Sequence, residues 1–387
     1  MIALVGPSIW AMTLQRFKMI SNPSSGRRLW TINGRFTVQQ VTGVQRYARE
    51  IVSAMDQILL EDEEVSKRLG LVLAAPPKAD VSLDLSRIPT RHSRFGSGHA
   101  WDQFVLPWYE NFGVLSLGNF GPVLSRRHVV CIHDANTFLE PASYSRMFRT
   151  VYRTMLPLVG RRARKVATVS QFSADMLSRY GICRAEKIFV APNGHEHALR
   201  WDPTQSAISD LRPRHRPYVL LLGSRAKHKN VQVVLDAAKT LQEAGIDVVV
   251  CGGMSSIFSE STAEAVGDNV HYAGYVSDDD LAALYGGALC LAFPTKTEGF
   301  GIPILEAMAR LCPVVSSNAA SLTEVGGDAV VSLDPEKSKD WSSAIIALRN
   351  NPDLRSSLIE RGRKRAALFS WKRSARLYLE EMLSLAE

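Results

Sequence analysis

Short apolar runs alternate with longer amphipathic segments along most of the chain. The apolar runs fall at 29–33, 70–75, 113–117, 128–132, 165–169 and 187–191. They are rich in Val, Leu, Ile and Ala, continuous rather than alternating, as strands buried on both faces of a parallel sheet are. Between most of them lie segments with apolar residues at helical spacing, for example 43–58 and 143–158. This β-α-β-α succession predicts an α/β fold with helices covering both faces of a mostly parallel sheet.

The pattern breaks at 201–217, where Asp202-Pro203 and Arg212-Pro213-Arg214-His215-Arg216-Pro217 make a polar, proline-punctuated linker. A second series follows at 218–222, 247–251, 270–273, 288–293, 313–316 and 329–333. From Pro335 onward the period is helical, with 371–385 as the last helix. The chain therefore divides into an extension at 1–28, a first Rossmann-like domain at 29–200 and a linker at 201–217. A second Rossmann-like domain spans 218–370, and a C-terminal helix 371–387. Two such domains imply a central cleft, since open α/β sheets bind ligands beyond the carboxyl ends of their strands.

Composition narrows the class. No apolar run approaches the ~18–20 residues that span a bilayer, and the apolar start of the chain has no basic region before it, so it makes a poor signal peptide. The five cysteines (Cys131, Cys183, Cys251, Cys290, Cys312) are scattered and form no CxxC or Cys/His cluster. They read as buried thiols in a reducing compartment, so a cytoplasmic location is expected. The formal charge is +8, and its excess gathers at Arg146, Arg149, Arg153, Arg161, Arg162, Arg164 and Lys165. The first three lie at i, i+3 and i+7 and share a helix face. A solvated face and a contact with an anionic membrane leaflet both explain that patch. Nucleic acid is not expected, because no aromatic residues interleave with the basic ones and no reader motif accompanies them.

The segment that carries chemistry is Phe293-Pro-Thr-Lys-Thr-Glu298-Gly-Phe-Gly-Ile-Pro-Ile-Leu-Glu306. It reads as a strand end, a glycine loop and a helix opening near Pro303. Gly299 and Gly301 let backbone come close to a ligand, and the free N–H groups of a helix start suit a diphosphate. Glu298 precedes the loop and Glu306 lies about one turn into the helix, so the two acids reach different parts of one ligand. The plainer alternatives are turn glycines and a surface acid.

The Glu298-x(7)-Glu306 spacing with Gly-Phe-Gly-Ile-Pro inside it resembles the motif of retaining glycosyltransferase family 4, of the GT-B fold. Further pieces of the resemblance are Thr42-Gly-Val-Gln-Arg-Tyr-Ala-Arg-Glu50, Ile132-His-Asp134, Val169-Ser-Gln-Phe-Ser173, Ala191-Pro-Asn-Gly194, Gly223-Ser-Arg-Ala-Lys-His-Lys-Asn230 and Ala273-Gly-Tyr-Val276. The resemblance implies two Rossmann-like domains facing a central cleft, with C-terminal helices packed back on the first. It implies that Glu306 holds the donor's ribose and Glu298 lies by the transferred sugar. Backbone of Phe300, Gly301 and Ile302 would meet diphosphate or sugar, Lys229 would neutralise the leaving diphosphate, and Tyr275 and Val276 would border the base. Gly43 would let its loop approach the phosphates, and His133 would line the sugar or acceptor site, unless it is only a satisfied strand-end histidine.

Many relatives carry arginine directly after the phosphate-motif glycine, where this chain has Ser224. Arg225, next along, is the substitute candidate, while Lys227 and His228 are expected in solvent. Asp278-Asp279-Asp280 looks like a metal motif, but it precedes a helix, where acids cap and complement the dipole. No metal or cofactor is expected, and Ser170 is expected to be a helix cap. The resemblance is nearest to bacterial polysaccharide mannosyltransferases, which makes GDP-mannose the first expected donor and a lipid-linked glycan the expected acceptor. The alternatives are a UDP- or dTDP-sugar donor, and a non-catalytic nucleotide-sugar-binding protein of the same fold. A nicotinamide dehydrogenase is excluded because no first strand leads into Gly-x-Gly-x-x-Gly.

Overall fold

The structure is a computed structural model that describes residues 27–77, 79, 82–208, 216–223, 226–253 and 267–385. It contains two parallel sheets. The first has seven strands: β1 (Arg28–Asn33), β2 (Leu69–Ala75), β3 (Thr90–His92), β4 (Gly113–Ser116), β5 (His128–Cys131), β6 (Lys165–Thr168) and β7 (Ile188–Val190). Their order is β3-β2-β1-β4-β5-β6-β7. The second has six: β8 (Tyr218–Leu222), β9 (Asp247–Cys251), β10 (Val270–Gly274), β11 (Cys290–Phe293), β12 (Val314–Ser317) and β13 (Val331–Leu333). Their order is β10-β9-β8-β11-β12-β13. Every pairing within both sheets is parallel.

These strands, β3 apart, are the apolar runs of the sequence, and six of them (β2, β4, β5, β9, β11 and β12) are buried at every residue. The edge strands β7, β10 and β13 are only partly buried, as is the edge strand β3. β3 is also short and polar, and no apolar run announces it.

Six helices matter for the site: α1 (Gly43–Glu61), α2 (Arg146–Arg162), α3 (Gln171–Arg179), α4 (Asp278–Gly287), α5 (Ile302–Ala309) and α6 (Trp371–Ser384). α1 opens with a capping box, in which the Gln45 side chain answers Thr42. α6 leaves the second domain and packs on α1. The Tyr47 and Tyr378 hydroxyls meet at 2.9 Å, Arg376 pairs with Asp62 at 3.2 Å, and Lys165 pairs with Glu381 at 2.7 Å.

In each sheet the order reverses beside the first strand, between β1 and β4 and between β8 and β11. Crevices beyond the carboxyl ends of strands open at such reversals. Here the carboxyl ends of the two sheets face one another. The loop after β11 touches the loops after β5 and β6, and Ser170 Oγ donates to Gly299 O at 2.6 Å. All five cysteines are buried and unbridged. No helix among the described residues is long and apolar enough to cross a membrane.

Candidate active site

The loop between β11 and α5 forms the floor of the site. Gly301 caps α5 with φ +90°, and a Cβ there would lie 2.5 Å from Leu322 Cδ2, so only glycine fits. The helix begins at Ile302, with Pro303 second. Gly299 is demanded by the other domain: an added Cβ would sit 2.6 Å from His133 O and 3.0 Å from Asp134 Cβ. Its carbonyl accepts from Ser170 Oγ and, at 3.1 Å, from Ser173 Oγ. Ser170 therefore does two things. It caps α3, accepting from Ser173 N at 3.0 Å, and it ties α3 to the glycine loop.

Glu298 stands at the entrance of this loop, its backbone carbonyl held by Ser321 Oγ at 2.9 Å. Its carboxylate pairs with Lys229, which comes from the turn after β8 and also lies 5.7 Å from the Phe293 ring centroid. Across the cleft is Asp134. Burial lifts its pKa to about 6, the Glu298 charge adding to the rise while the Asn136 N–H and Lys229 oppose it. The domains are joined here again by Thr297 Oγ1 donating to Asn136 Oδ1 at 3.1 Å.

His133 is buried. Its Nε2–H donates to Leu117 O at 2.9 Å, and its ring meets Tyr47 edge-on at 4.9 Å. Burial lowers its pKa to about 4. It is thus a neutral imidazole near pH 7, suited to accepting a hydrogen bond and not to supplying a proton.

Glu306 is no surface acid: it is 4% exposed. Its Oε1 accepts from His197 Nε2 at 3.0 Å and its Oε2 from Tyr285 OH at 3.3 Å. Tyr275 is 80% exposed, just beyond β10. Val276, beside it, packs partly against the core. Phe300 turns its ring inward against Phe369, at 5.7 Å. Gly43 opens α1 with nothing within 4 Å of where its Cβ would be. Arg225 and Ser224 lie outside the described residues.

The histidine of the phosphate motif corrects the reading of its sequence. His228 is buried, not solvated: its ring stacks with Tyr144 at 6.2 Å, and its backbone N–H donates to Ser143 Oγ at 3.3 Å. Lys227, one residue earlier, is exposed. The acidic run does not precede its helix but forms the first turn of α4, and it is occupied by its own chain. Asp278 pairs with Arg46 at 2.6 Å, and Asp279 accepts from Asp202 N at 2.8 Å. Asp280 closes a capping box with Ser277 and holds Ser206 and Ala207.

The basic face of α2 is partly committed as well. Arg149 donates to Pro141 O at 3.4 Å, and Arg153 donates to Thr137 O at 3.2 Å while lying over Phe138.

A cleft between two carboxyl-end faces, a glycine loop at a helix start and a lysine–glutamate pair form a place for a phosphorylated sugar compound. The family model for group 1 glycosyl transferases matches residues 205–365. O-antigen chain mannosyltransferase B of Escherichia coli is 43% identical over 264 residues, 64% of this chain and 67% of that protein. The chain belongs to the group 1 glycosyltransferases. O-antigen chain mannosyltransferase RfbU of Salmonella typhimurium is 28% identical over 233 residues, and the match spans 59% of this chain and 63% of that relative. Among solved structures, sucrose-phosphate synthase from Thermosynechococcus elongatus superposes with a TM-score of 0.70 at 17% identity, covering 93% of this glycosyltransferase and 100% of that chain. This likeness bears on the fold, and it is the GT-B arrangement of two Rossmann-like domains.

Two residues of this glycosyltransferase's site carry no role in the sequence reading. Asp134 stands in the Ile132-His-Asp134 motif, and its place directly after His133 at a strand's carboxyl end is the signal that could have found it. His197 carries no such signal, since its partner is 109 residues away.

Proposed function

We propose that the chain is a retaining mannosyltransferase, moving mannose from GDP-mannose to a lipid-linked glycan during bacterial polysaccharide assembly at the inner face of the cytoplasmic membrane. The observation that carries this reading is the Lys229–Glu298 pair at the mouth of the glycine loop, above the start of α5. A diphosphate laid there meets one cation and the N–H groups of a helix start, which stabilise it as it departs. Glu298, freed from Lys229 as the phosphates take the lysine, faces the sugar and stabilises the positive charge that develops at its anomeric carbon. The bond from the anomeric carbon to the diphosphate breaks as the bond to the acceptor oxygen forms, and the departing diphosphate takes the acceptor's proton. No covalent sugar–enzyme bond intervenes, and Lys229 with the helix start stabilises the diphosphate in place of a metal. His133, neutral and buried, accepts a sugar hydroxyl, and Glu306 holds the ribose.

The names of the Salmonella and E. coli relatives support mannose as the sugar and an O-antigen-like glycan as the product class. Membrane contact is supported by the outer surface of the first domain. Met147, Val151 and Leu158 are exposed apolar residues on α2, between Arg146 and Arg162. Phe104 and Leu124 are exposed nearby, where Gln103 binds Gly121 and Val123 and Phe120 meets Tyr152 of α2 at 4.6 Å. An apolar stripe flanked by arginines suits an anionic leaflet.

The test is thermal stabilisation by GDP, UDP, ADP, dTDP and their hexose conjugates without added metal, followed by NMR assignment of the product's anomeric configuration. Stabilisation confined to GDP and GDP-mannose, with an α-linked product, is expected. Stabilisation by UDP or dTDP compounds overturns the donor, and an inverted product overturns the mechanism.

A further inference from the structure

The segment after β7, Gly194-His195-Glu196-His197, reaches both the first residue of α6 and the acid on α5. Trp371 Nε1 donates to His197 Nδ1 at 3.1 Å. An indole N–H can only donate, so Nδ1 of His197 is the acceptor and the ring proton sits on Nε2. That nitrogen lies 3.0 Å from Glu306 Oε1, so it donates to the carboxylate. His197 is 1% exposed, and its ring has no other freedom: it is packed edge-on against Trp201 at 5.4 Å.

We infer that His197 is a positioning residue for the donor nucleotide: it aims the Glu306 carboxylate at the ribose, in a tautomer set by Trp371. The inference rests on the reading of Glu306 as the ribose holder. A carboxylate has about four acceptor sites. His197 and Tyr285 take one on each oxygen and fix its plane, leaving a lone pair on each for the two ribose hydroxyls.

The same segment anchors α6. Glu196 Oε2 accepts the Trp371 backbone N–H at 3.2 Å and the His195 N–H at 3.0 Å. His195 Nδ1 reaches Phe369 O at 2.8 Å. Gly194 has no room for a side chain, since a Cβ would stand 2.3 Å from Trp371 N. The grip on the ribose is therefore linked to the docking of α6 on the first domain.

The test compares the dissociation constants of GDP and 2′,3′-dideoxy-GDP, or the corresponding pair for whichever nucleotide binds in the panel above. The wild-type protein is expected to prefer the ribose form by tenfold or more, and Glu306→Gln to lose most of that preference. His197→Phe combined with Trp371→Phe removes both partners of the inner hydrogen bond and leaves no orphaned donor. It is expected to bring the ratio to within about threefold of unity, leaving the affinity for the dideoxy form unchanged. His197→Gln, whose amide N–H can still reach Glu306, is expected to keep the preference. A folded double variant with the wild-type ratio overturns the inference while leaving the ribose reading intact. A wild-type protein without the preference overturns that reading and the inference with it. Should the double variant not fold, His197→Phe alone decides: it removes the group that holds Glu306, and an unchanged ratio overturns the role.

Discussion

Lys229 and Glu298 lie in the loops that follow adjacent strands of one sheet and pair directly, beside the space where a diphosphate and its sugar are proposed to lie. A ligand that takes the lysine releases the glutamate. Binding of donor and arming of the acid are then one event, and substitutions at the two positions should have different kinetic consequences.

Glu298→Gln keeps the size and hydrogen-bonding reach of the side chain and removes its charge. We expect kcat to fall by about 10²–10³-fold, the scale on which removing one well-placed electrostatic group acts, with the donor KM little changed. Steady-state kinetics with donor varied at saturating acceptor is the check, and unchanged turnover sinks the role.

Lys229→Ala removes the cation from the diphosphate but not from the ribose. Calorimetry should show nucleoside diphosphate affinity falling by roughly tenfold or more, as loss of a charge-assisted hydrogen bond of about 1.5–3 kcal/mol requires. Nucleoside affinity should be unaffected. Equal losses for both ligands would place Lys229 away from the phosphates.

Asp134 carries a raised pKa of about 6. The folded state therefore binds its proton more tightly than the unfolded chain, whose aspartate titrates near about 3.9. The penalty is absent below the unfolded value, grows as pH rises through the interval up to about 6, and is complete above it. Asp134→Asn should raise Tm at pH 7.5 more than at pH 4, and equal shifts at both would show that the carboxylate is not held in this way.

Gly299→Ala drives a methyl group into His133 O, a backbone atom that cannot turn aside. Overpacking of this kind costs about 1–3 kcal/mol, and here it is relieved by parting the two sheets. A lowered Tm with loss of activity is expected in the same variant. Full activity would show that the close contact is dispensable.

On α2, Met147→Glu with Val151→Glu should weaken sedimentation with phosphatidylglycerol vesicles by tenfold or more. Arg146→Ala should cost about fivefold at low salt, near ~1 kcal/mol per basic residue, and little at high salt. Wild-type protein that stays in the supernatant at low salt would end the membrane reading.

The strands were legible because parallel strands buried on both faces show as continuous apolar runs. β3 was not, because a short polar edge strand takes its conformation from its neighbour β2 and carries no pattern of its own. The glycine loop and its two acids were legible from spacing. The meaning of Gly299 was only half so, because the atoms that forbid a side chain there belong to the other domain. Helical spacing placed Arg149 and Arg153 near one face, but it could not show that the carbonyls of 137–141 would claim them. His228 was misjudged for a similar reason, since the ring that covers it, Tyr144, is far away in sequence. His197 belongs with these: its meaning depends on two partners that only the fold brings together.

The chain passes between the two domains twice, once after β7 and once at the start of α6, and the Glu196 carboxylate bridges the two passages. A body tethered at one point swivels in any direction, but one tethered at two adjacent points turns chiefly about the line that joins them. Any parting of the two sheets would thereby be steered toward a single arc, along which the return brings Gly299 back to His133 O and Asp134 Cβ.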